Sequence, residues 1–377
     1  MNILTPVLEL VGSLGLLLYG MKLMSDGVQK SAGEKLQRTL SVVTSNKVVA
    51  ILTGMLITMI IQSSGATTVM VVTFVNAGLI SLAQSAGVIF GANIGTTITA
   101  WIVSIFGFNF KISAFAVPVV GLGYFLSIFK KRKYQNIGEA IMGFGLLFLG
   151  LSGLSSVFTP DQLGWMLNIK GTGASAIILG FLIGIVVTAL LHSSSAFSAI
   201  VITMAYNGLI SWELAAAMTL GSNVGSTVDS IMASMGTSAN GRRAALIHVM
   251  FNLFGTIVVL CFLKPFLDLV MFITPGQENS NIAIRISMLH TVFNIITTVV
   301  MTPLSGKLVK IAEFLIKDDP SEKKKVFKLE FIEHSAKENV ATYIIQAEKA
   351  IADMTDVVTD MFDTIQIGVT KRNSSYV

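Results

Sequence analysis

Gln62-Ser63-Ser64-Gly65-Ala66-Thr67-Thr68 returns 130 residues later as His192-Ser193-Ser194-Ser195-Ala196-Phe197-Ser198. The same shift carries Gly15-Leu-Leu-Leu-Tyr-Gly20 onto Gly145-Leu-Leu-Phe-Leu-Gly150, Gly54 onto Gly184, and Gly78-Leu79-Ile80-Ser81 onto Gly208-Leu209-Ile210-Ser211. It also carries Gly91-Ala92-Asn93-Ile94-Gly95-Thr96-Thr97 onto Gly221-Ser222-Asn223-Val224-Gly225-Ser226-Thr227, and no gap interrupts Gly15 through Ala100. A solenoid repeats every 20–50 residues or so, so a period this long is one duplication of a multi-helix unit.

These polar motifs sit in an apolar chain. Of its 377 residues 53% are hydrophobic, and the charged share of 12% is about half of the roughly 25% found in soluble domains. Apolar stretches near the roughly 20 residues that cross a bilayer fall at 3–21, 83–106, 112–129, 137–158, 213–237, 244–263 and 286–306. They predict seven spans of an all-α integral membrane protein. The first segment lacks a basic n-region and a small-residue cleavage site, so it is expected to be a retained helix rather than a signal peptide.

Segment 48–80 is apolar but broken at its centre by Gln-Ser-Ser-Gly, which predicts two half-length helices that dip in and return to the same side. Segment 173–210 repeats the pattern. The net charge of +5 comes from clusters between spans, such as Lys130-Lys131-Arg132-Lys133, Arg242-Arg243 and Lys323-Lys324-Lys325. A cytoplasmic-face bias accounts for them without nucleic acid as a partner. With the N-terminus outside and the C-terminus in the cytoplasm, every cluster falls on one face, apart from Lys264 and Arg285. Lys22 and Lys30 are then the first cytoplasmic lysines. Equivalent spans 3–21 and 137–158 run in opposite directions, so the repeats are inverted, a common basis for alternating access. The expected organisation is a first repeat over 1–130, a second over 131–263, an additional helix with its flanks over 264–310, and a cytoplasmic helical tail over 311–377.

Irregular backbone at membrane depth is tolerated only inside protein or against a water-filled cavity. A hairpin tip there offers the N-terminus of its returning helix, whose free N–H groups and positive dipole end suit an oxyanion. Ser63, Ser64, Thr67, Thr68, Ser193, Ser194 and Ser195 add uncharged hydroxyl donors, and their oxygens also suit a hard cation such as sodium. Small hydroxylated residues equally serve close helix contacts. The glycine pairs around Asn93 and Asn223 carry both readings, packing or an unwound, ion-binding helix. Asp229, whose repeat partner is Thr99, balances a cation, carries a proton or lies near an aqueous vestibule.

Other chemistries lack support. The single Cys261 excludes an internal disulfide framework or cysteine metal cluster. No Lys follows the glycines in P-loop spacing, and His248-Val-Met-Phe251-Asn252 and His290-Thr-Val-Phe293-Asn294 are not His-Glu-x-x-His. The His-x-x-Phe-Asn pair reads as interhelical hydrogen bonding or anion handling. His192 beside Ser193 has no orienting acid nearby in sequence, so no enzyme and no cofactor is expected.

Over roughly residues 10–305 the chain resembles the bacterial branch of the type II sodium/phosphate cotransporter family, through its duplicated Gln-Ser-Ser-Ser signature. Each copy departs once, at Gly65 and at His192. The resemblance implies a sodium-coupled transporter of inorganic phosphate in the bacterial inner membrane, with the ion sites at the midplane between the tips. Implied phosphate residues are Gln62, Ser63, Ser64, Thr67, His192, Ser193, Ser194 and Ser195. Sodium candidates are Thr68, Asn93, Thr96, Ser198, Asn223, Ser226 and Asp229. The alternatives are a phosphate or related oxyanion exporter, and a membrane phosphate sensor.

In the tail, Val340, Ile344, Ala347, Ile351, Met354, Val358, Met361 and Ile365 recur at spacings of four and three, a helix with one apolar seam. It resembles the beginning of a PhoU domain, and residues 340–365 are expected to pair with a second protomer, a partner helix or the transporter itself.

Overall fold

In the computed structural model, each copy of the polar motif breaks a helix in two. The structure describes residues 4–41, 46–109, 115–129, 131–159, 173–274 and 281–318, with helical positions scattered between Ile344 and Phe362. Every regular element among them is helical.

Helix α2 (Lys47–Ile61) ends at Gln62 and α3 (Ser64–Asn76) follows, while in the second copy α7 (Ala174–Leu191) ends at His192 before α8 (Ser194–Tyr206). Gln62 and His192 are both left-handed, at φ 61° and 51°. Ser63 and Ser193 are both extended, at φ −142° and −153°. Each serine caps the helix that follows, accepting the N–H of Ala66 at 3.1 Å or of Ala196 at 3.2 Å. Such caps stabilise a helix by about 1 kcal/mol. Thr58 donates to Thr67 at 3.0 Å. In a continuous helix residues so spaced would lie about 13 Å apart, so the chain folds back at this motif.

The match continues downstream. Gly78 and Gly208 take φ of 66° and 74°, and Ser81 and Ser211 cap α4 (Leu82–Ile102) and α9 (Trp212–Gly225). Helix α2 packs on α4 as α7 packs on α9. A Cβ on Gly91 would lie 1.8 Å from the Ile51 carbonyl oxygen, and one on Gly221 2.1 Å from that of Phe181. These glycines are therefore close-contact points between helices. Unwinding expected at 91–95 does not occur: α4 passes straight through and continues as a π-helix over Val103–Asn109. In the second copy the break comes just after the glycines, at Ser226, between α9 and α10 (Thr227–Ser234).

Helices α1 (Leu4–Ser41) and α6 (Arg132–Val157) are repeat equivalents and pack against each other. Gly20 abuts the Leu147 nitrogen, where a Cβ would lie at 2.4 Å, and Gly150 abuts the Leu17 nitrogen, at 2.3 Å. Each residue of one contact lies one repeat from its counterpart in the other, so the contact has two-fold character. Gly27 meets Asn136 and Ala140 whereas Ser13 meets Gly150. The two helices are antiparallel.

Six helical segments among the described residues are long and apolar enough to cross a membrane: Thr5–Ser31, Leu82–Phe108, Arg132–Val157, Ala174–Leu191, Ala239–Cys261 and Ile282–Leu315. They differ from the seven expected. Span 213–237 divides at Ser226, because hydropathy averaged along a stretch does not register one residue of broken helix. Span 112–129 contracts to α5 (Ala116–Ser127), with 110–114 outside the described residues. The first span runs well past 21. Between the last two spans, α11 (Ala239–Cys261) and α13 (Ile282–Leu315), lies the short α12 (Leu263–Ile273). Val7, Leu8 and Val11 on α1 and Leu179, Leu182, Val186 and Leu190 on α7 are exposed. Apolar faces of that extent belong against lipid, and the chain is a multi-pass membrane protein.

In the tail, Val340, Met361 and Ile365 lie outside the described residues. Ile344, Ala347, Ile351, Met354 and Val358 are helical, and all five are exposed.

Candidate functional site between the two motif tips

The two breaks meet around one cavity of about 400 Å³. Its walls are Gln62 to Ala66 of the first motif, Leu191 to Ser195 of the second, Ser226 and Asp229 beyond the second, and one face of α1. Helices α3 and α8 both begin at this wall, each with a serine, Ser64 or Ser194, in its first position and each serine 7% exposed. Two helix N-termini thus face one space, an arrangement that favours negative charge. Among the expected phosphate residues only Thr67 stays outside the cavity, fully buried against Thr58.

Cross-links between the motifs follow the duplication. The Thr99 hydroxyl donates to Gln62 Oε1 at 3.0 Å and accepts from the Ser195 hydroxyl at 3.3 Å. One repeat on, His192 Nδ1 lies 2.7 Å from Asp229 Oδ1, and a Cβ on Gly65 would lie 2.6 Å from Asp229 Oδ2. Gln62, Thr99 and Ser195 correspond to His192, Asp229 and Gly65 under the shift of 130. A carboxylate only accepts, so Nδ1 carries the proton of this bond. The orienting acid that sequence proximity did not reveal for His192 is therefore Asp229, 37 positions on. Both departures from the signature meet at it. Its carboxylate takes the place of a threonine hydroxyl, and glycine leaves the room it needs.

The Na+/Pi-cotransporter family profile matches residues 16–156 and 166–302, one segment in each half. This chain belongs to the Na+/Pi-cotransporter family. It is a family of phosphate transporters, not of enzymes. The chain is similar to YqeW of Bacillus subtilis strain 168, an uncharacterized protein, at 29% identity over 79% of this chain and 94% of the relative. It is 28% identical to YjbB of Escherichia coli K12, provisionally named an inorganic phosphate export protein, over 83% of this chain and 56% of the relative. Sodium-dependent phosphate transport protein 2B of Rattus norvegicus is 33% identical over 34% of this chain and 18% of its own length. No solved structure matches the chain.

For a family member the cation candidates divide into two groups. Ser226 and Asp229 line the cavity. Thr68, Asn93, Thr96, Ser198 and Asn223 are buried behind it. Thr68 donates to the Ser64 and Gly65 carbonyls, Asn93 to Ile89 and Thr96 to Ala92, all within their own helices. Ser226 donates to the Asn223 carbonyl at 2.7 Å. Asn223 Oδ1 lies 2.9 Å from His290 Nε2. The Ser198 hydroxyl is buried without a hydrogen-bond partner among the described residues. The His-x-x-Phe-Asn motifs act as interhelical links: His248 Nδ1 meets Ser230 at 2.9 Å, and Phe251 and Phe293 are fully buried.

Sequence reasoning missed the α1 wall. Lys22, Ser25, Asp26 and Gln29 line the cavity, and the Ser25 hydroxyl donates to the Ile61 carbonyl at 2.8 Å. Lys22, which charge bias delivers to the cytoplasmic side just past the expected span 3–21, is still on the continuous helical segment Thr5–Ser31. The available signal was the spacing of three, one and three between these polar residues, one face of a helix.

Proposed function

We propose that this protein is a secondary transporter that binds inorganic phosphate between the two motif tips and moves it across the membrane with sodium. One observation carries the reading: the two serine-rich tips, 130 residues apart in sequence, face the same cavity with a helix N-terminus on each side. Ser64 and Ser194 supply hydroxyl donors, Ser195 commits its proton to Thr99 and offers only lone pairs, and the Ser198 oxygen, unpaired among the described residues, is the best-supported cation ligand among the buried candidates.

Antiparallel packing of α1 on its repeat equivalent α6 supports inverted repeats divided near residue 130, and the reversal of the chain between Thr58 and Thr67 supports a re-entrant hairpin. With two such halves, each adopting the other's conformation, the cavity opens to one side and then the other. The N-terminus is taken as external and the tail as cytoplasmic. Moving a charge through 100 mV is worth about 2.3 kcal/mol, so importing divalent phosphate against an interior-negative potential costs about 4.6 kcal/mol. Cotransported cations offset that cost.

Export is the second reading. The similarity to YjbB, a relative named for phosphate export, extends over 83% of the chain, against 34% for the rat sodium-dependent protein. Counterflow in proteoliposomes tests transport in either direction. Labelled external phosphate should enter vesicles preloaded with unlabelled phosphate and exceed its equilibrium level, whereas binding without counterflow would indicate a sensor.

A further inference from the structure

Asp229 alone among the carboxylates of the cavity abuts both tips. Its Oδ1 is held by His192, and its Oδ2 lies beside Gly65 with no hydrogen bond among the described residues. The other carboxylate in the wall, Asp26, belongs to α1, one turn beyond Lys22.

A carboxylate with no cation bound to it repels an oxyanion unless the anion itself donates a proton to it, because an ionised carboxylate has only acceptor sites. Phosphate near neutrality always retains a P–OH. Sulfate has the same tetrahedral shape and charge but no hydroxyl. A site that pairs serine hydroxyls and helix N-termini with one fixed acceptor therefore matches a partly protonated oxyanion and opposes a fully ionised one.

We propose that Asp229 is the residue that selects hydrogen phosphate over fully ionised tetrahedral anions, its Oδ2 accepting the hydrogen bond of the P–OH group. His192 is a positioning residue that holds Oδ1, and Gly65 gives Oδ2 its approach to the tip of α3. The first half offers no such acceptor-only group, since Thr99 at the equivalent place is a hydroxyl that both donates and accepts. The inference deepens the phosphate reading of the cavity and rests on it.

The test is equilibrium binding of labelled phosphate to the full chain at fixed pH, with sulfate or monofluorophosphate, a phosphate-like dianion without a hydroxyl, as competitor. Neither should displace phosphate from the wild type at about 100-fold excess, because a site built around a substrate hydroxyl leaves its acceptor unpaired when that hydroxyl is missing. Asp229→Asn should bind phosphate about tenfold more weakly and become sensitive to both competitors. If that variant fails to fold, wild-type competition together with Gly65→Ala, which sets a methyl against Oδ2, decides the matter: the alanine should erode the discrimination. Displacement from the wild type at equimolar sulfate overturns the proposal, as does discrimination lost in Asp26→Asn but retained in Asp229→Asn. A wild type that binds no phosphate instead overturns the transport reading itself.

Discussion

His192 Nδ1 donates to Asp229 Oδ1 across 2.7 Å, joining the tip of the second motif to the short helix beyond the Ser226 break. The bond takes the place of the one between Gln62 and Thr99 in the first half but runs the other way, since there Thr99 donates to the Gln62 amide oxygen and here the imidazole donates to the carboxylate. The two tips share a backbone conformation and differ in charge, so the cavity between them is chemically one-sided.

His192→Gln restores the residue of the first half and removes the imidazole that orients the carboxylate. The His192 side chain is 52% exposed, so solvent screening limits its contribution to folding to about 1 kcal/mol or less. Phosphate affinity should fall while the thermal midpoint of the detergent-solubilised protein moves by only a few degrees. A large drop in midpoint with unchanged affinity would make the pair structural.

Ser64→Ala and Ser194→Ala each delete a donor from a nearly buried wall of the cavity. Each should weaken phosphate binding by about 1–3 kcal/mol, read by equilibrium binding. Unchanged affinity in both would return these serines to helix packing.

Lys22 is a cation of the cavity wall and forms no ion pair among the described residues. Lys22→Gln should raise the KM for phosphate about tenfold, the scale of one charge-assisted hydrogen bond in a partly hydrated site. Lys22→Arg should recover most of the loss, because it keeps the charge.

Gly91→Ala and Gly221→Ala should each disrupt folding by at least about 1–3 kcal/mol, since an added methyl meets a helix carbonyl that cannot retreat alone. Gly15→Ala, where nothing lies within 4 Å, should be neutral. Thermal unfolding of the three variants checks the contrast.

Topology is tested with Cys261 replaced by serine and single cysteines introduced elsewhere. A cysteine at Gln135 should react with an impermeant thiol reagent only from the cytoplasmic side, and one at Asn168 only from outside. Labelling of both from the same face would contradict the inverted arrangement.

Much of this architecture could be read from residue order. The duplicated motifs and the all-helical class depend on local chemistry and periodicity, and the Gln-Ser-Ser-Gly interruption of segment 48–80 marked the helix break at Gln62. The cavity needed three dimensions. Asp229 meets His192 because the helix that ends at His192 packs on the one that leads to Asp229, and Lys22 fell beyond the first expected span because a single charge ended an apolar stretch. Hydropathy sees burial in lipid but not which face of α1 turns inward. The glycines around Asn223 allowed an unwound helix, but hydropathy did not place the break at Ser226, since one residue at φ −64° and ψ −17° changes no composition.

Labelled phosphate flux through proteoliposomes, with and without a sodium gradient, separates sodium-coupled transport from its alternatives. Phosphate should move down an imposed sodium gradient, accumulate above equilibrium, and slow in the Ser64→Ala and Ser194→Ala proteins. Equal flux driven by a proton gradient with sodium absent would contradict sodium coupling, and no flux from a protein that binds phosphate would contradict transport.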